Sequence, residues 1–388
     1  MGIKKLRHSW TGCGKILLNA GIGLFILFIS LTCAAATMEE ETPAPKSGRE
    51  LYLAACAACH GPDGRGMPQS MVGFDLPLPD FTDSSFISRE PQEDWVAVAQ
   101  LGGPVRQFSE RMPAFQGVLT VDETRRLVSY IHSFNQDKSW PAGELNLPRP
   151  LVTEKAFPED EAVFSASGNM EGSGSVSGKF IYEKRLGSRN QVEVVIPYAW
   201  SERGPQDPVS GWHSGVGDIA LAFKRAFYHS GEKGTIFSAA AEFKLPTGDD
   251  RRGFGKGTPV LEPFALFGQI LPSDFFIQSQ AGLEIPLDSE KGGTEAFVRA
   301  AFGRSFSAAN WGRTFSPMVE LLAARELEKG ALTHWDIVPQ MQVTLSRRQH
   351  IMMNFGIRLP LNDTSTRSTQ FIVYLLWDWF DGGFFEGW

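Results

Sequence analysis

The chain has 388 residues, with 44 acidic against 37 basic side chains and a formal charge of −7. That length holds two domains of ordinary size, each able to bury its own core. The acidic balance argues against nucleic acid as a partner, because such binding runs on phosphate neutralisation. Past residue 37 no uncharged apolar run approaches the ~20 residues of a membrane-spanning helix, which argues against a helical membrane protein.

The first 36 residues place Lys4, Lys5, Arg7 and Lys15 ahead of the apolar run ILLNAGIGLFILFISL, which leads into Cys33-Ala34-Ala35-Ala36. Charged head, apolar middle and small residues at the end are the layout of a secretory signal, with cleavage expected after Ala36. Two alternatives compete: an uncleaved inner-membrane anchor, because the run is long for a signal core, and a lipidated Cys33, against which stand Ser30 and Thr32. Cleavage removes four basic residues and no acidic ones, taking the charge from −7 to −11. It also removes Cys13 and Cys33, so only Cys56 and Cys59 of the four cysteines remain. Two thiols three apart build no disulfide framework and are free for another use.

That use is indicated by LYLAACAACHGPDGRGMP, Leu51 to Pro68. Attachment of haem through thioethers needs two thiols spaced for the two vinyl groups, followed at once by a histidine that can turn onto the iron. Cys56, Cys59 and His60 supply that order. A zinc half-site would need a second cysteine pair, which the chain lacks. The expected cofactor is one covalent haem c, with His60 as one axial ligand. For the other, SERMPAFQGVLT offers Met112, 52 residues after His60 and followed by Pro113, which fixes the backbone. Methionine opposite histidine raises the reduction potential. Met67 and Met71 follow His60 too closely to reach around the porphyrin easily, and His132 falls in a helix where a packing role is expected. Gly48, Leu51, Tyr52 and Ala55 share one helical face ahead of the cysteines. TVDETRRLVSYIHSF opens with the capping-box order Thr120 and Glu123 and carries Leu127, Tyr130 and Ile131 on one face.

Residues 45–137 resemble a class I cytochrome c in CAACHG, LGGP, RMPAF and LVSYIHSF. The resemblance implies an all-α haem domain with Cys56 and Cys59 as thioether sites, and His60 and Met112 as the iron ligands.

Next comes KSWPAGELNLPRPLVTEKAFPED, with four prolines and no apolar period, which predicts an extended linker over 138–162. From 163 to 388 the apolar period becomes two. In HWDIVPQMQVTLS the residues Trp335, Ile337, Pro339, Met341 and Val343 alternate with Asp336, Val338, Gln340, Gln342 and Thr344. The same alternation in IMMNFGIRLPL and FSAAAEFKL, and in segments near 173–185, 191–200, 216–228, 259–271, 275–286, 294–304, 314–324 and 367–379, predicts strands. Short turns (GSRN, SGEKG, PSD, RRQ) largely alternate with longer polar loops, as in an up-and-down barrel, and strands of about a dozen residues suit a tilted span. Aromatic residues near strand ends (Tyr198, Trp200, Phe227, Tyr228, Trp377, Trp379) suit a bilayer interface. Trp388 is compatible with a terminal aromatic. By alternation Glu193, Asp218, Glu242, Glu284 and Asp336 point inward, together with Lys224, Lys244, Arg299 and Arg358; mixed charge of this kind marks lumen lining rather than a metal site.

The fold class expected is therefore α + β multidomain: a small all-α cytochrome c domain followed by an antiparallel up-and-down transmembrane β-barrel of about 10–12 strands. GVGDIALAFKRAF and AAAEFKLPTGDD resemble the outer-membrane family linked to the meta-cleavage pathway of phenol degradation. The fusion as a whole resembles the cytochrome-porins of iron-oxidising bacteria. A domain of about 95 residues is wider than the lumen of such a barrel, so the haem should sit at a mouth, by default the periplasmic one. These readings imply electron transfer between an external or outer-membrane donor, ferrous iron among the small soluble reductants, and a periplasmic carrier, with outer-membrane lipid around the barrel. The alternative is a transporter for a small or hydrophobic compound with a tethered redox module. Electron transfer, with Fe(II) oxidation as its enzymatic limit, is expected rather than conventional catalysis.

Overall fold

Ser47 and Thr120 each start a helix by the same device. Each side chain accepts from the backbone N–H three residues on, and Glu50 and Glu123 return the bond to the cap's own N–H. The computed structural model describes residues 46–73, 77–171, 174–203, 211–308 and 312–378. The expected signal over 1–36, Trp379 and Trp388 lie outside the described residues. Six α-helices, α1 (Gly48–Ala55), α2 (Ala57–His60), α3 (Gln69–Val72), α4 (Ser84–Ile87), α5 (Gln92–Leu101) and α6 (Val121–His132), build the first domain. Leu51 and Tyr52 of α1 pack with Phe81, Ile87, Val96, Leu127, Val128 and Ile131 in its core. Gly48 lies so close under the Arg126 carbonyl that a Cβ there would overlap it, so α1 and α6 cross at backbone distance.

The strands are β1 (Glu161–Asn169), β2 (Ser175–Leu186), β3 (Asn190–Arg203), β4 (Gly211–Val216), β5 (Ala220–Ser230), β6 (Thr235–Lys244) and β7 (Val260–Ile270). They continue as β8 (Phe275–Pro286), β9 (Glu295–Arg304), β10 (Phe306–Ala308), β11 (Gly312–Glu326), β12 (His334–Thr344), β13 (Ile351–Pro360) and β14 (Gln370–Asp378). Neighbours pair antiparallel, and β1 pairs β14 from Glu161 opposite Asp378 to Asn169 opposite Gln370, which closes the sheet. Among the described residues β4 pairs only with β3, and β10 only with β11, so twelve of these fourteen strands form the closed wall. Sequence periodicity missed β1, whose run EAVFSASGN alternates weakly, and the short β4 and β10.

Alternation is obeyed around the wall. Phe164, Leu221, Phe223, Phe237, Phe302, Leu321, Phe355, Ile357, Phe371 and Leu375 are exposed on the outside, while Glu193, Lys224, Glu320, Asp336, Gln340 and Asn354 are buried inside. A closed barrel with an apolar exterior leaves no unpaired edge in lipid and is an outer-membrane-type span. Among the described residues no helix is long and apolar enough to cross a membrane. Tyr198 shares the outward parity of Trp200, whose ring it meets edge-on at 5.3 Å; it lies over Gly178, and its hydroxyl donates to the Ser165 carbonyl at 2.9 Å.

The stretch expected to be a linker is instead a strap through the lumen. Leu145, Ala156 and Phe157 are buried against Ala226, Ile236, Phe264, Leu266 and Phe297 of the wall. Its backbone is bonded nearly residue by residue to inward side chains. Gln278 Nε2 donates to the Pro148 carbonyl (2.7 Å), and Tyr374 Oη and Asn354 Nδ2 donate to that of Arg149 (2.6 and 3.1 Å). Gln340 Oε1 accepts from the N–H of Leu151 (2.9 Å), and the Glu320 carboxylate from those of Val152 and Thr153 (3.1 and 2.7 Å). Farther along, Lys224 Nζ donates to the Lys155 carbonyl (3.0 Å), Ser238 Oγ to that of Ala156 (2.5 Å), and Gln191 Oε1 accepts from Glu159 N–H (2.7 Å). Irregular, proline-rich backbone survives away from water only when its polar groups are paired in this way.

Candidate haem site and luminal chamber

α1 delivers the chain to Cys56, and α2 carries Cys59 and His60 on its single turn. The loop after it is pinned. Tyr52 Oη donates to the Gly61 carbonyl at 2.6 Å, Gly66 N–H to the His60 carbonyl at 2.9 Å and Met67 N–H to the Cys59 carbonyl at 2.8 Å. Gly61 follows at φ +75°, a left-handed turn that turns the chain away directly after the histidine.

The residues present fit a haem. Cys56 and Cys59 are both free thiols. The His60 ring stacks on Phe81 with centroids 4.8 Å apart. Its Nδ1 is buried and finds no hydrogen-bond partner among the described residues. Burial pulls the imidazole down to about 4, so near neutral pH it is the free base that a metal requires. Burial first, and Cys59 second, pushes the Cys56 thiol up to about 12.

Met112 stands on a different loop. Gly103 N–H donates to the Met112 carbonyl at 3.1 Å, and Met112 N–H to the Ser109 carbonyl at 3.2 Å. Phe115 and Gln116 then bond the carbonyls of Ala99 and Gln100 at the end of α5. Gly103 packs with its Cα against Ser109 and Met112, which explains the glycine pair in LGGP. Met71 is 69% exposed, and Met67 is tied to the Cys59 loop. His132 is turned inward, its ring 5.3 Å from Trp95 and its Nε2 buried.

The helical domain sits on the mouth of the barrel formed by the short turns. Ser139 carbonyl accepts from Arg189 Nε at 3.1 Å, beyond β2, and lies 3.1 Å from His229 Nε2 on β5. Arg348, in the β12–β13 turn, donates to the Gln107 carbonyl at 3.1 Å. Within the domain's underside Asp94 and Arg106 form a buried pair at 3.2 Å, and Asp94 presses on Gly312 of β11. A water-sized cavity of about 40 Å³ lies there, lined by Glu90 and Asp94 of the helical domain, Asn146 and Arg149 of the strap, and Arg313 and Asp378 of the wall.

Arg149 also lines the second space, a chamber of about 680 Å³ in the barrel. The inward charges expected from alternation line it: Glu193, Asp218, Glu242, Glu284, Lys244, Arg299 and Arg358. Lys244 is shared by Glu262 (2.6 Å), Glu284 (3.0 Å) and Glu242 (3.6 Å). Asp336 is bound instead by Arg358 and Arg367, at 2.5 and 2.6 Å, and Lys224 by the strap. Val163, Ile181, Val195 and Ile372 add apolar side chains to the same lining. The strap-holding residues Gln191, Gln278, Gln280, Glu320, Gln340, Asn354 and Tyr374 escaped sequence reasoning. Their signal was the run of inward amides at period two beside a proline-rich segment.

Residues 43–131 match the family model for cytochrome c oxidase, cbb3-type, subunit III. The helical domain is thus a c-type cytochrome domain, which implies haem c. Comparison with curated proteins returns no match. Among solved structures, the outer membrane channel from Pseudomonas putida F1 is similar at 12% identity and a TM-score of 0.46, covering 60% of this chain and 99% of its own. KdgM porin is similar at 7% identity and a TM-score of 0.37, covering 56% of this chain and 98% of its own. The β domain of the Bordetella autotransporter BrkA, at 12% identity and a TM-score of 0.36, covers 56% of this chain and 97% of its own. These are likenesses of strand architecture.

Proposed function

We propose that the protein is an outer-membrane electron-transfer protein in which one covalent haem c, held by Cys56, Cys59, His60 and Met112, works at the periplasmic mouth of its own barrel. The observation that carries this reading is the seating of the cytochrome domain on the short-turn mouth, with its following segment threaded through the lumen. Short turns face the periplasm in barrels of this type. The haem supplies reversible one-electron exchange. The chain's own residues attach it, keep His60 as free base and anchor it to the membrane next to a soluble periplasmic carrier.

One haem does not bridge a bilayer core of about 30 Å. A small reductant such as ferrous iron would have to enter the luminal chamber, from which the strap at Arg149 separates the underside of the cytochrome domain. The test is reconstitution into liposomes with the haem side enclosed. External ferrous iron should reduce the haem, and His60→Ala should abolish the response. A haem that stays oxidised with every external reductant, yet reacts with solutes on its own side, rules out the conduit and leaves the barrel as an anchor.

A second reading, transport of a small amphipathic compound with a tethered redox module, is favoured by the mixed lining of the chamber, in which Val163, Ile181, Val195 and Ile372 stand among Glu193, Glu242, Lys244 and Arg299. It predicts uptake of such a compound that survives His60→Ala.

A further inference from the structure

The barrel grips the cytochrome domain at the loop that carries Met112. Arg348 Nη2, from the turn between β12 and β13, donates to the Gln107 carbonyl at 3.1 Å. The same guanidinium lies 5.4 Å over the ring of Phe108. Gln107 is held at φ +58°, in the left-handed region that a side chain rarely adopts, so its carbonyl is aimed by a strained backbone. From there the connections run directly to the methionine. Phe108 N–H donates to the Gly103 carbonyl (2.9 Å), Gly103 N–H donates to the Met112 carbonyl (3.1 Å), and the Gly103 Cα packs against Ser109 and the Met112 Cβ. One residue before Gln107, Arg106 is fixed by Asp94, which presses on Gly312 of β11. Two barrel segments therefore close on one side of the loop from Gly102 to Met112.

We infer that Arg348 is a positioning residue for Met112: the barrel wall, through the Gln107 carbonyl and the Phe108 ring, holds the loop that presents the thioether to the haem. This rests on the reading of Met112 as an iron ligand. An external ligand displaces a protein thioether only when its loop swings away, and a loop fastened to a rigid β-turn resists that movement. Loss of one hydrogen bond from a charged donor, together with a cation–π contact, should shift such an opening equilibrium about fivefold.

The experiment uses the full-length holoprotein in detergent, with imidazole as the displacing probe and the sulfur-to-iron absorption band as a second readout. Arg348→Ala should bind imidazole about fivefold more tightly and show a weakened band, while the electrophoretic behaviour of the folded barrel is unchanged. Arg348→Lys, which keeps a cationic donor, should recover much of the wild-type resistance. Wild-type imidazole affinity and band in Arg348→Ala, alongside loss of the band in Met112→Ala, overturns the inference and leaves the ligand reading intact. A band that survives Met112→Ala removes both. Should Arg348→Ala fail to assemble, Phe108→Leu carries the test: unchanged imidazole affinity in that variant overturns the inference.

Discussion

Arg149 Nη1 donates to Glu183 Oε1 at 2.9 Å inside the barrel, and the same nitrogen bonds Glu161. One strap cation is thus shared by two wall carboxylates, all three less than a tenth exposed, and Glu161 is also paired with Lys155 at 3.4 Å. Removing one partner of such a group leaves the others buried and uncompensated, at a cost of about 3–5 kcal/mol. Arg149→Met should therefore lower the temperature at which the barrel loses its compact electrophoretic mobility. The double variant Arg149→Met, Glu183→Gln should recover part of the loss. A single variant as stable as wild type would mean that water reaches these carboxylates.

Met112→Ala should eliminate the sulfur-to-iron band near the red end of the spectrum while the haem stays attached to Cys56 and Cys59. Met67→Ala should leave the band in place, because Met67 is tied by its backbone to the Cys59 carbonyl at 2.8 Å. A reversed result would move the ligand to the loop after His60.

His132 gives the cytochrome domain an acid sensitivity of defined sign. Burial lowers its pKa from 6.5, against the pull of Glu144 in the opposite direction. The unfolded chain therefore binds a proton that the folded domain refuses. The stability due to neutral His132 is fully present above 6.5 and is lost as pH falls from there through the depressed folded value. Thermal unfolding followed at the haem absorption should show a falling midpoint over that range. His132→Gln should flatten the slope, and an unchanged slope would assign it to other groups.

Cys56, Cys59 and His60 could be singled out as the expected haem site because the pattern for attachment is short-range, written into five consecutive residues. The helices around them were legible because Thr120 with Glu123, and Leu127 with Ile131, satisfy local rules of capping and period. The wall was legible for a similar reason: Trp335 to Gln342 alternates so strictly that register and facing follow at once. The strap was not. Pro148, Pro150 and Pro158 exclude regular structure, and a segment without period reads as a spacer, whereas its order comes from Gln278, Glu320 and Gln340, more than a hundred residues away. Arg348 and Gln107, 241 apart in sequence, meet only because closure of the barrel brings the β12–β13 turn under the helical domain.

Glu320 accepts three hydrogen bonds from the strap, and its removal tests whether the strap seals the lumen. One carboxylate oxygen accepts from Val152 N–H at 3.1 Å and from Gln340 Nε2 at 2.5 Å. The other accepts from the N–H and the hydroxyl of Thr153 at 2.7 and 2.6 Å. Glu320→Ala strands two strap N–H groups and opens space beneath them, an expected cost of about 1–3 kcal/mol for each group left unpaired. The strap's ends remain fastened by Gln278 at Pro148 and by Ser238 at Ala156, so the middle should loosen without leaving the barrel. In planar bilayers the wild type should pass little current, because the strap closes the floor of the chamber at Arg149. Glu320→Ala should show brief openings of higher conductance, and Glu320→Gln, which keeps an acceptor for Thr153, should show fewer. Equal steady conductance in all three proteins would mean that ions already pass beside the strap and that the lumen is not sealed by it.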